Sequence, residues 1–263
     1  MRKTIFFLII FLKIFFLDKV YSSEFKEKRS LHFIVKYNPA IEETYVRKII
    51  KEAEKYYRLI THEFYIVREK PWLQGERARI YIAQDKKEYK EKFPCPFWSQ
   101  ACVNYFQKKI YTYKDQEKFS SFLAHELAHI IFREYIGEKL LPLWVDEGMA
   151  IYIEAKYTNP DLENFLREKT KNMIKKKKYI DFDKINKVQL KKNEADKELI
   201  DLFYTQAWSM VNFLRIRFGK IKFKEYLEKI KEGKSIEEAI FSTYGLIDNN
   251  RDFERLWKQF YLR

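Results

Sequence analysis

Two histidines spaced for one helical turn, with a glutamate beside the first, are the residues of this chain best suited to chemistry. His125, Glu126 and His129 belong to the segment His-Glu-Leu-Ala-His. On a helix this spacing puts both imidazoles on one face, where their ring nitrogens can bind a single ion at about 2 Å. Glu126 is offset by about 100° around the helix, which suits a base that contacts a metal-bound water and does not bind the metal itself. The three residues predict a zinc site with its own general base.

A helix over residues 117–136 is expected to carry these side chains. Apolar residues recur there at three- and four-residue spacing, which is typical of a helix packed against a core. They are Phe119, Phe122, Leu123, Leu127, Ile130 and Ile131. Gly137 then ends the helix, as glycine often does. The alternative is a helix that merely carries two surface or capping histidines.

A catalytic zinc needs a third protein ligand and one open position for water. The candidate is Glu147, in Leu-Pro-Leu-Trp-Val-Asp-Glu-Gly-Met-Ala, with seventeen residues between it and His129. That length allows the chain to turn after Gly137 and to return along a second helix that begins near Pro142. An ordinary solvated carboxylate is the alternative, but an acidic pair inside an apolar run is unusual.

The two motifs together resemble those of the gluzincins, the thermolysin-like zinc metallopeptidases, and in particular the peptidase MA-like group. The resemblance extends over about residues 31–220. It implies that His125, His129 and Glu147 bind zinc and that Glu126 activates water. The assignment made from residue types and spacing agrees with it.

The resemblance also implies a tyrosine in a later helix. Tyr204, in Tyr-Thr-Gln-Ala-Trp-Ser-Met, is the candidate. Its hydroxyl would donate a hydrogen bond to the oxyanion of the tetrahedral intermediate; the alternative is a tyrosine that only packs. Thermolysin-like enzymes carry an aspartate four residues after the glutamate ligand, and this aspartate orients the first histidine. This chain has Ile151 there, which leaves the partner of His125 unassigned.

The hydrophobic pattern predicts an α+β fold, with a catalytic half over residues 23–156 and an all-helical C-terminal portion over residues 157–263. The resemblance implies that the catalytic half is zincin-like. The catalytic half is expected to contain a small twisted mixed sheet and the helix of the zinc motif. Half-buried strands are predicted at 31–37 and 78–83, with a helix over 42–62 between them. After residue 156, helical segments are predicted at 160–178, 203–218, 221–231, 235–243 and 250–261, with breaks at Gly219, Gly233 and Gly245.

A hairpin is predicted from strands at 103–106 and 109–113, closed by Gln107 and Lys108. In gluzincins a strand on this side of the cleft pairs with the substrate backbone. The resemblance therefore makes residues 103–113 a candidate edge for substrate. An internal strand of the sheet is an equally good interpretation of the sequence.

The N-terminus has the pattern of an export signal. Arg2 and Lys3 precede an apolar stretch at residues 4–17, and Val-Tyr-Ser ends at Ser22, near which cleavage is expected. Residues 1–22 are thus predicted to be a signal peptide, and the mature chain to be periplasmic or secreted. The alternative is an uncleaved N-terminal membrane anchor. No later segment is predicted to span a membrane.

Export would explain the two cysteines. Cys95 and Cys102 form an even pair in a short loop, which favours a disulfide in an oxidising compartment. Metal binding by this pair is disfavoured, because the spacing is too long for the usual ligand pair and no third cysteine exists.

The formal charge is +14 at pH 7. Such a surface favours anionic partners, for example lipid headgroups, cell-wall polymers or acidic substrates. Compositional bias explains the lysines equally well. They are scattered, and no nucleic-acid motif accompanies them, so no nucleic-acid partner is expected.

The predicted activity is therefore hydrolysis of peptides or proteins by an exported zinc metallopeptidase with one zinc ion per chain. No segment like the GAMEN motif of the aminopeptidase branch is present, which favours an endopeptidase. One alternative is a non-catalytic exported binding protein that keeps the zincin fold, but such a protein has no chemical reason to keep Glu126. A weaker alternative is a module that binds membrane surfaces through its positive charge.

Overall fold

A computed structural model describes residues 25–66, 72–96, 99–137, 141–188 and 197–263. The predicted signal peptide, residues 1–22, lies outside these ranges. The described residues have the predicted α+β fold, in which a small mixed sheet in the N-terminal part is followed by helices. None of the helices in these ranges combines the length and the apolar character needed to cross a membrane.

The sheet has the strand order β1-β2-β3-β5-β4. Its strands are β1 (Lys26–Arg29), β2 (Phe33–Tyr37), β3 (Ala78–Ala83), β4 (Cys102–Asn104) and β5 (Lys109–Tyr113). The three central strands are parallel, and β1 and β4 pair antiparallel at the two edges. Strand β2 is buried along most of its length, as expected for a central strand covered on both faces.

The strands differ from the prediction at two places. Strand β1 was not predicted, because its residues are charged and lack the alternating pattern of a half-buried strand. The first strand of the hairpin ends at Asn104, two residues earlier than predicted, and residues 105–108 form the turn. Lys108 takes a positive φ of 51° in this turn, and its N–H donates to the carbonyl of Tyr105.

The helices of the described ranges include those predicted and two short ones that were not, at residues 86–92 and 182–185, and the helix predicted to begin at residue 203 begins at residue 197. They are α1 (Glu43–Glu63), α2 (Lys86–Lys92), α3 (Phe119–Ile136), α4 (Leu143–Thr158), α5 (Pro160–Lys175), α6 (Phe182–Ile185), α7 (Lys197–Lys231), α8 (Ile236–Thr243) and α9 (Asn250–Leu262). Gly219 interrupts α7 with φ 83°, ψ 173°, which is the break predicted there. Gly137 follows α3 with φ 97°, a conformation that glycine adopts without strain.

Helices α3 and α4 lie in the middle of the molecule. Both are buried on nearly all sides, with α3 packed against α1 and α4, and α4 packed between α3 and α7. One hydrophobic core runs from Phe33 in the sheet to Tyr261 in the last helix. The predicted boundary between the catalytic half and the C-terminal portion, after residue 156, falls inside helix α4. This boundary stays a prediction from the sequence pattern.

The closest approach between α4 and α7 occurs at Gly148. A Cβ atom at this position would lie 2.4 Å from the carbonyl oxygen of Ala207 and 2.7 Å from Cγ2 of Val211. Only glycine allows the two helices to come this close. The residue before this contact is Glu147, so the packing of α7 fixes α4 where the third predicted ligand projects.

Candidate metal centre

Helix α3 brings His125 and His129 together as predicted. The four-residue spacing places both imidazoles on the same face, with their Nε2 atoms 3.1 Å apart. Both side chains are buried, as is that of Glu126 between them in sequence. The two Nε2 atoms therefore face one common point inside the protein.

Helix α4 returns along α3 and places Glu147 at the same point. Its Oε2 atom lies 3.6 Å from Nε2 of His129 and 3.8 Å from Nε2 of His125. The three side chains form the group of possible metal ligands found among the described residues, with one ligand atom from each within 4.8 Å of the others.

The donor atoms suit a zinc ion in their type and in their spacing, and the carboxylate among them lacks another partner for its hydrogen bonds in the described ranges. A triangle with sides of 3.1, 3.6 and 3.8 Å has a circumradius of about 2.0 Å, which is the length of a zinc–nitrogen or zinc–oxygen bond. Glu147 is fully buried, yet neither of its carboxylate oxygens has a hydrogen-bond partner within the described part of the chain. A buried carboxylate without a hydrogen-bond partner is costly, and a bound cation would reduce that cost.

The other ring nitrogen of each histidine contacts a carboxylate. Nδ1 of His129 lies 2.8 Å from Oδ1 of Asp146, and Nδ1 of His125 lies 3.0 Å from Oε2 of Glu154. When Nδ1 carries the proton and donates it to the carboxylate, Nε2 keeps its lone pair for a metal. In that tautomer both carboxylates hold the histidines in the orientation that a metal needs.

Glu154 is the partner of His125 that the sequence did not identify. Ile151 occupies the position where thermolysin-like enzymes carry the aspartate, and it offers no partner for His125. Glu154 lies seven residues after Glu147, two turns along α4, and so on the same face. That spacing was the signal in the sequence that could have identified it.

Charge around the site favours a cation. Burial disfavours the charged imidazolium, yet the charges of Asp146 and Glu147 raise the pKa of His129 to about 10. Burial also acts to raise the pKa of Asp146, but His129 and Arg133 hold this pKa at about 2. Burial raises the pKa of Glu126, which brings this carboxylate closer to the range in which a base works at neutral pH.

The sequence comparison agrees with this geometry. Residues 114–262, more than half of the chain, match the sequence model of the Peptidase MA superfamily. The chain belongs to the Peptidase MA superfamily. Membership indicates a metallopeptidase-type hydrolase, and it confirms the resemblance on which the first assignment rested. No curated protein shows significant sequence similarity to the chain.

Within this Peptidase MA chain, Tyr204 is positioned on α7 near the candidate ligands. Burial raises the pKa of its phenol, and the negative charges of Glu147, Glu126 and Asp146 raise it further. Its hydroxyl is therefore neutral at physiological pH and able to donate. The role of Tyr204 at an oxyanion stays a prediction.

A second tyrosine, Tyr105, was missed. It follows strand β4, and its hydroxyl donates to Oε2 of Glu126 at 2.8 Å. The predicted hairpin placed this tyrosine in a strand, and nothing in its local sequence shows that the turn folds over α3. The region matched by the superfamily begins at residue 114 and so does not include it.

The hairpin and the disulfide meet at strand β4. Strand β4 is one of the two edge strands of the sheet and pairs only with β5 among the described strands, whereas β5 is internal. Of residues 103–113, the first strand is thus the one with an edge available to an extended peptide. The predicted disulfide is present: Cys95 and Cys102 are bonded, and Cys102 is the first residue of β4.

Proposed function

We propose that this member of the Peptidase MA superfamily is an exported zinc metallopeptidase that hydrolyses peptide bonds inside a chain. The observation that carries the proposal is the buried carboxylate of Glu147. Its oxygens have no hydrogen-bond partner among the described residues, and Oε2 faces the Nε2 atoms of two histidines whose other nitrogens contact carboxylates. A zinc ion is the partner that this donor set suits best.

His125, His129 and Glu147 would hold one zinc ion. When bound there, zinc supplies a Lewis acid that polarises the scissile carbonyl and acidifies the attacking water. Glu126 takes the proton of that water and passes it to the leaving amine. Tyr105 donates to Oε2 of Glu126, and we assign the transfer of this proton to Oε1.

Two further groups are assigned on the basis of their positions. The neutral hydroxyl of Tyr204 donates to the oxyanion of the tetrahedral intermediate. Strand β4 accepts the substrate as an additional antiparallel strand, with main-chain hydrogen bonds that do not depend on substrate sequence. An edge strand can bind a peptide along its middle, which suits an endopeptidase acting on peptides or proteins.

The proposal places the protein outside the cytoplasm, after cleavage of the signal peptide near Ser22. The disulfide between Cys95 and Cys102 supports export, since disulfides form and persist in oxidising compartments. The net positive charge would favour anionic surfaces there, and we expect this attraction to decrease with salt.

The test is zinc-dependent cleavage of a mixture of unrelated peptides by the purified protein, with new termini identified by mass spectrometry. We expect internal cleavage by wild type, its loss after chelation and its return with zinc. Glu126→Gln should bind zinc like wild type and cleave at least about 100-fold more slowly, because it lacks the base. Glu168→Gln, which changes an exposed glutamate of α5, is the matched control.

Each alternative has its own outcome. Equal rates for Glu126→Gln and wild type would contradict the role of Glu126. A protein that binds zinc and peptides but never cleaves them would be the non-catalytic binding protein. Removal of terminal residues alone would replace the endopeptidase assignment by an exopeptidase.

A further inference from the structure

We propose that the hydroxyl of Tyr105 positions the general base, by fixing one carboxylate oxygen of Glu126 so that the other faces the substrate water. This inference rests on the proposed function and adds a residue outside the matched region of the superfamily. Tyr105 acts through Glu126 and takes no part in bond making, so it is a positioning residue.

The contact with Glu126 is direct. The Tyr105 hydroxyl donates to Oε2 of Glu126 at 2.8 Å, a charge-assisted hydrogen bond when the carboxylate is ionised. A glutamate side chain has several rotatable bonds, and a single strong hydrogen bond removes much of that freedom. Fixing Oε2 leaves Oε1 to accept the proton in one defined orientation.

The ring of Tyr105 is itself held in place. The Arg133 guanidinium carbon lies 4.1 Å from the ring centroid, and the ring of His129 packs against it edge-on at 5.7 Å. Arg133 also donates to Oδ2 of Asp146 at 2.6 and 3.0 Å, while Oδ1 of Asp146 contacts His129. One connected network therefore orients a metal ligand on one side and the tyrosine on the other.

The backbone around Tyr105 is constrained as well. Its carbonyl accepts from the N–H of Lys108 at 3.2 Å, and the side-chain oxygen of Asn104 accepts from the N–H of Gln107 at 3.0 Å. The disulfide at Cys102 fixes the start of the same strand. A tyrosine held at both backbone and ring is suited to positioning, since little entropy remains to be lost when the substrate binds.

Tyr105 and Tyr204 therefore have different tasks. A phenol has one O–H group, and that of Tyr105 is already donated to Glu126. It cannot at the same time donate to an oxyanion. Tyr204 remains the candidate for that role.

The test compares Tyr105→Phe with Tyr105→Ala in the zinc-loaded protein, using an internally cleaved peptide. We expect Tyr105→Phe to lower kcat by about 10- to 100-fold, with KM, zinc content and melting temperature close to wild type. It should bind a phosphinic peptide, which mimics the oxyanion, as tightly as wild type does, whereas Tyr204→Phe should bind it more weakly. Tyr105→Ala should also disturb Arg133 and His129 and lower zinc affinity.

Tyr56→Phe is the matched control. It removes the hydroxyl of Tyr56 on α1, which contacts the hydroxyl of Ser120 on α3 at 2.5 Å and has no contact with Glu126 among the hydrogen bonds of the described residues. Its kcat should equal that of wild type. Equal losses in Tyr56→Phe and Tyr105→Phe would show that any hydrogen bond to α3 has this effect, and would overturn the inference.

Other results overturn the inference in different ways. Full activity of Tyr105→Phe with loss in Tyr105→Ala would mean that the ring only packs. A loss that appears in KM or zinc content would mean a structural role, and weaker phosphinic peptide binding by Tyr105→Phe would mean an oxyanion role. Wild type without zinc-dependent cleavage refutes the proposed function and this inference with it. An active wild type, an inactive Glu126→Gln and a fully active Tyr105→Phe refute this inference alone.

Discussion

Replacing Gly148 by alanine tests the packing that sets the third candidate ligand. The added Cβ would lie 2.4 Å from the carbonyl oxygen of Ala207, well inside van der Waals contact. That oxygen belongs to the backbone of α7 and cannot rotate away, so the two helices must move apart. Neighbours such as Met149 and Trp208 are buried and leave little room for this movement.

The expected loss of stability follows from two opposing effects. Overpacking of a core against backbone costs about 3 kcal/mol, at the upper end of the usual range. Alanine in a helix interior recovers about 1 kcal/mol relative to glycine. The net loss is about 2 kcal/mol in the free energy of unfolding, which lowers the melting temperature by about 4–8 °C for a chain of this size.

The assay is urea and thermal denaturation of Gly148→Ala beside Gly245→Ala. Gly245 has no atom within 4 Å of its notional Cβ, so its substitution should change stability by less than about 1 kcal/mol. Gly148→Ala should also lower kcat, since it shifts Glu147 relative to Tyr204 on α7. A Gly148→Ala protein that melts at or above the temperature of wild type would refute this account of the α4–α7 contact.

Three further predictions concern partners of the site and of the fold. Glu154→Ala should weaken zinc binding by about 10- to 100-fold in a chelator competition, because His125 loses the carboxylate at its Nδ1; unchanged affinity would contradict that role. Burial acts to raise the pKa of Glu63, but hydrogen bonds from Lys156 and Tyr157 hold this pKa below the ordinary value of 4.5. The stability that ionised Glu63 contributes to the fold is therefore complete above pH 4.5. It is lost as the pH falls through the pKa of Glu63 in the folded protein. Glu63→Gln should flatten the pH dependence of urea unfolding in that acidic range, and an unchanged profile would contradict the assignment. Replacing both cysteines by serine should cost about 2–3 kcal/mol in urea unfolding, as expected for a loop with a sequence separation of 7, and a loss near zero would show that the disulfide adds little.

The predicted ligands could be found from sequence because local spacing nearly determines their positions. A four-residue interval on a helix brings His125 and His129 together in any fold. An acidic residue in an apolar helix is uncommon unless it binds a cation or a hydrogen-bond donor. Glu147 required one more step, the return of a second helix, which Gly137 and Pro142 made foreseeable.

Other parts depend on packing between elements far apart in the chain. Tyr105 contacts Glu126 only because the turn after β4 folds over α3, a relation that no local pattern contains. Glu154 is an intermediate case, because its spacing from Glu147 puts it on the same face of α4 and could have been used once Glu147 was placed. Strand β1 is charged and exposed, and it forms only because β2 offers it an unpaired edge.

The most direct test of the central claim is the zinc content of the purified protein, measured by elemental analysis beside Glu147→Ala and the control Glu168→Ala. This measurement needs no knowledge of the substrate. We predict about one zinc ion per chain in wild type and control, and a much weaker site in Glu147→Ala, which loses one of three ligands. Wild type that holds no zinc even after reconstitution would contradict the account, and His125 and His129 would then be no more than one face of a buried helix.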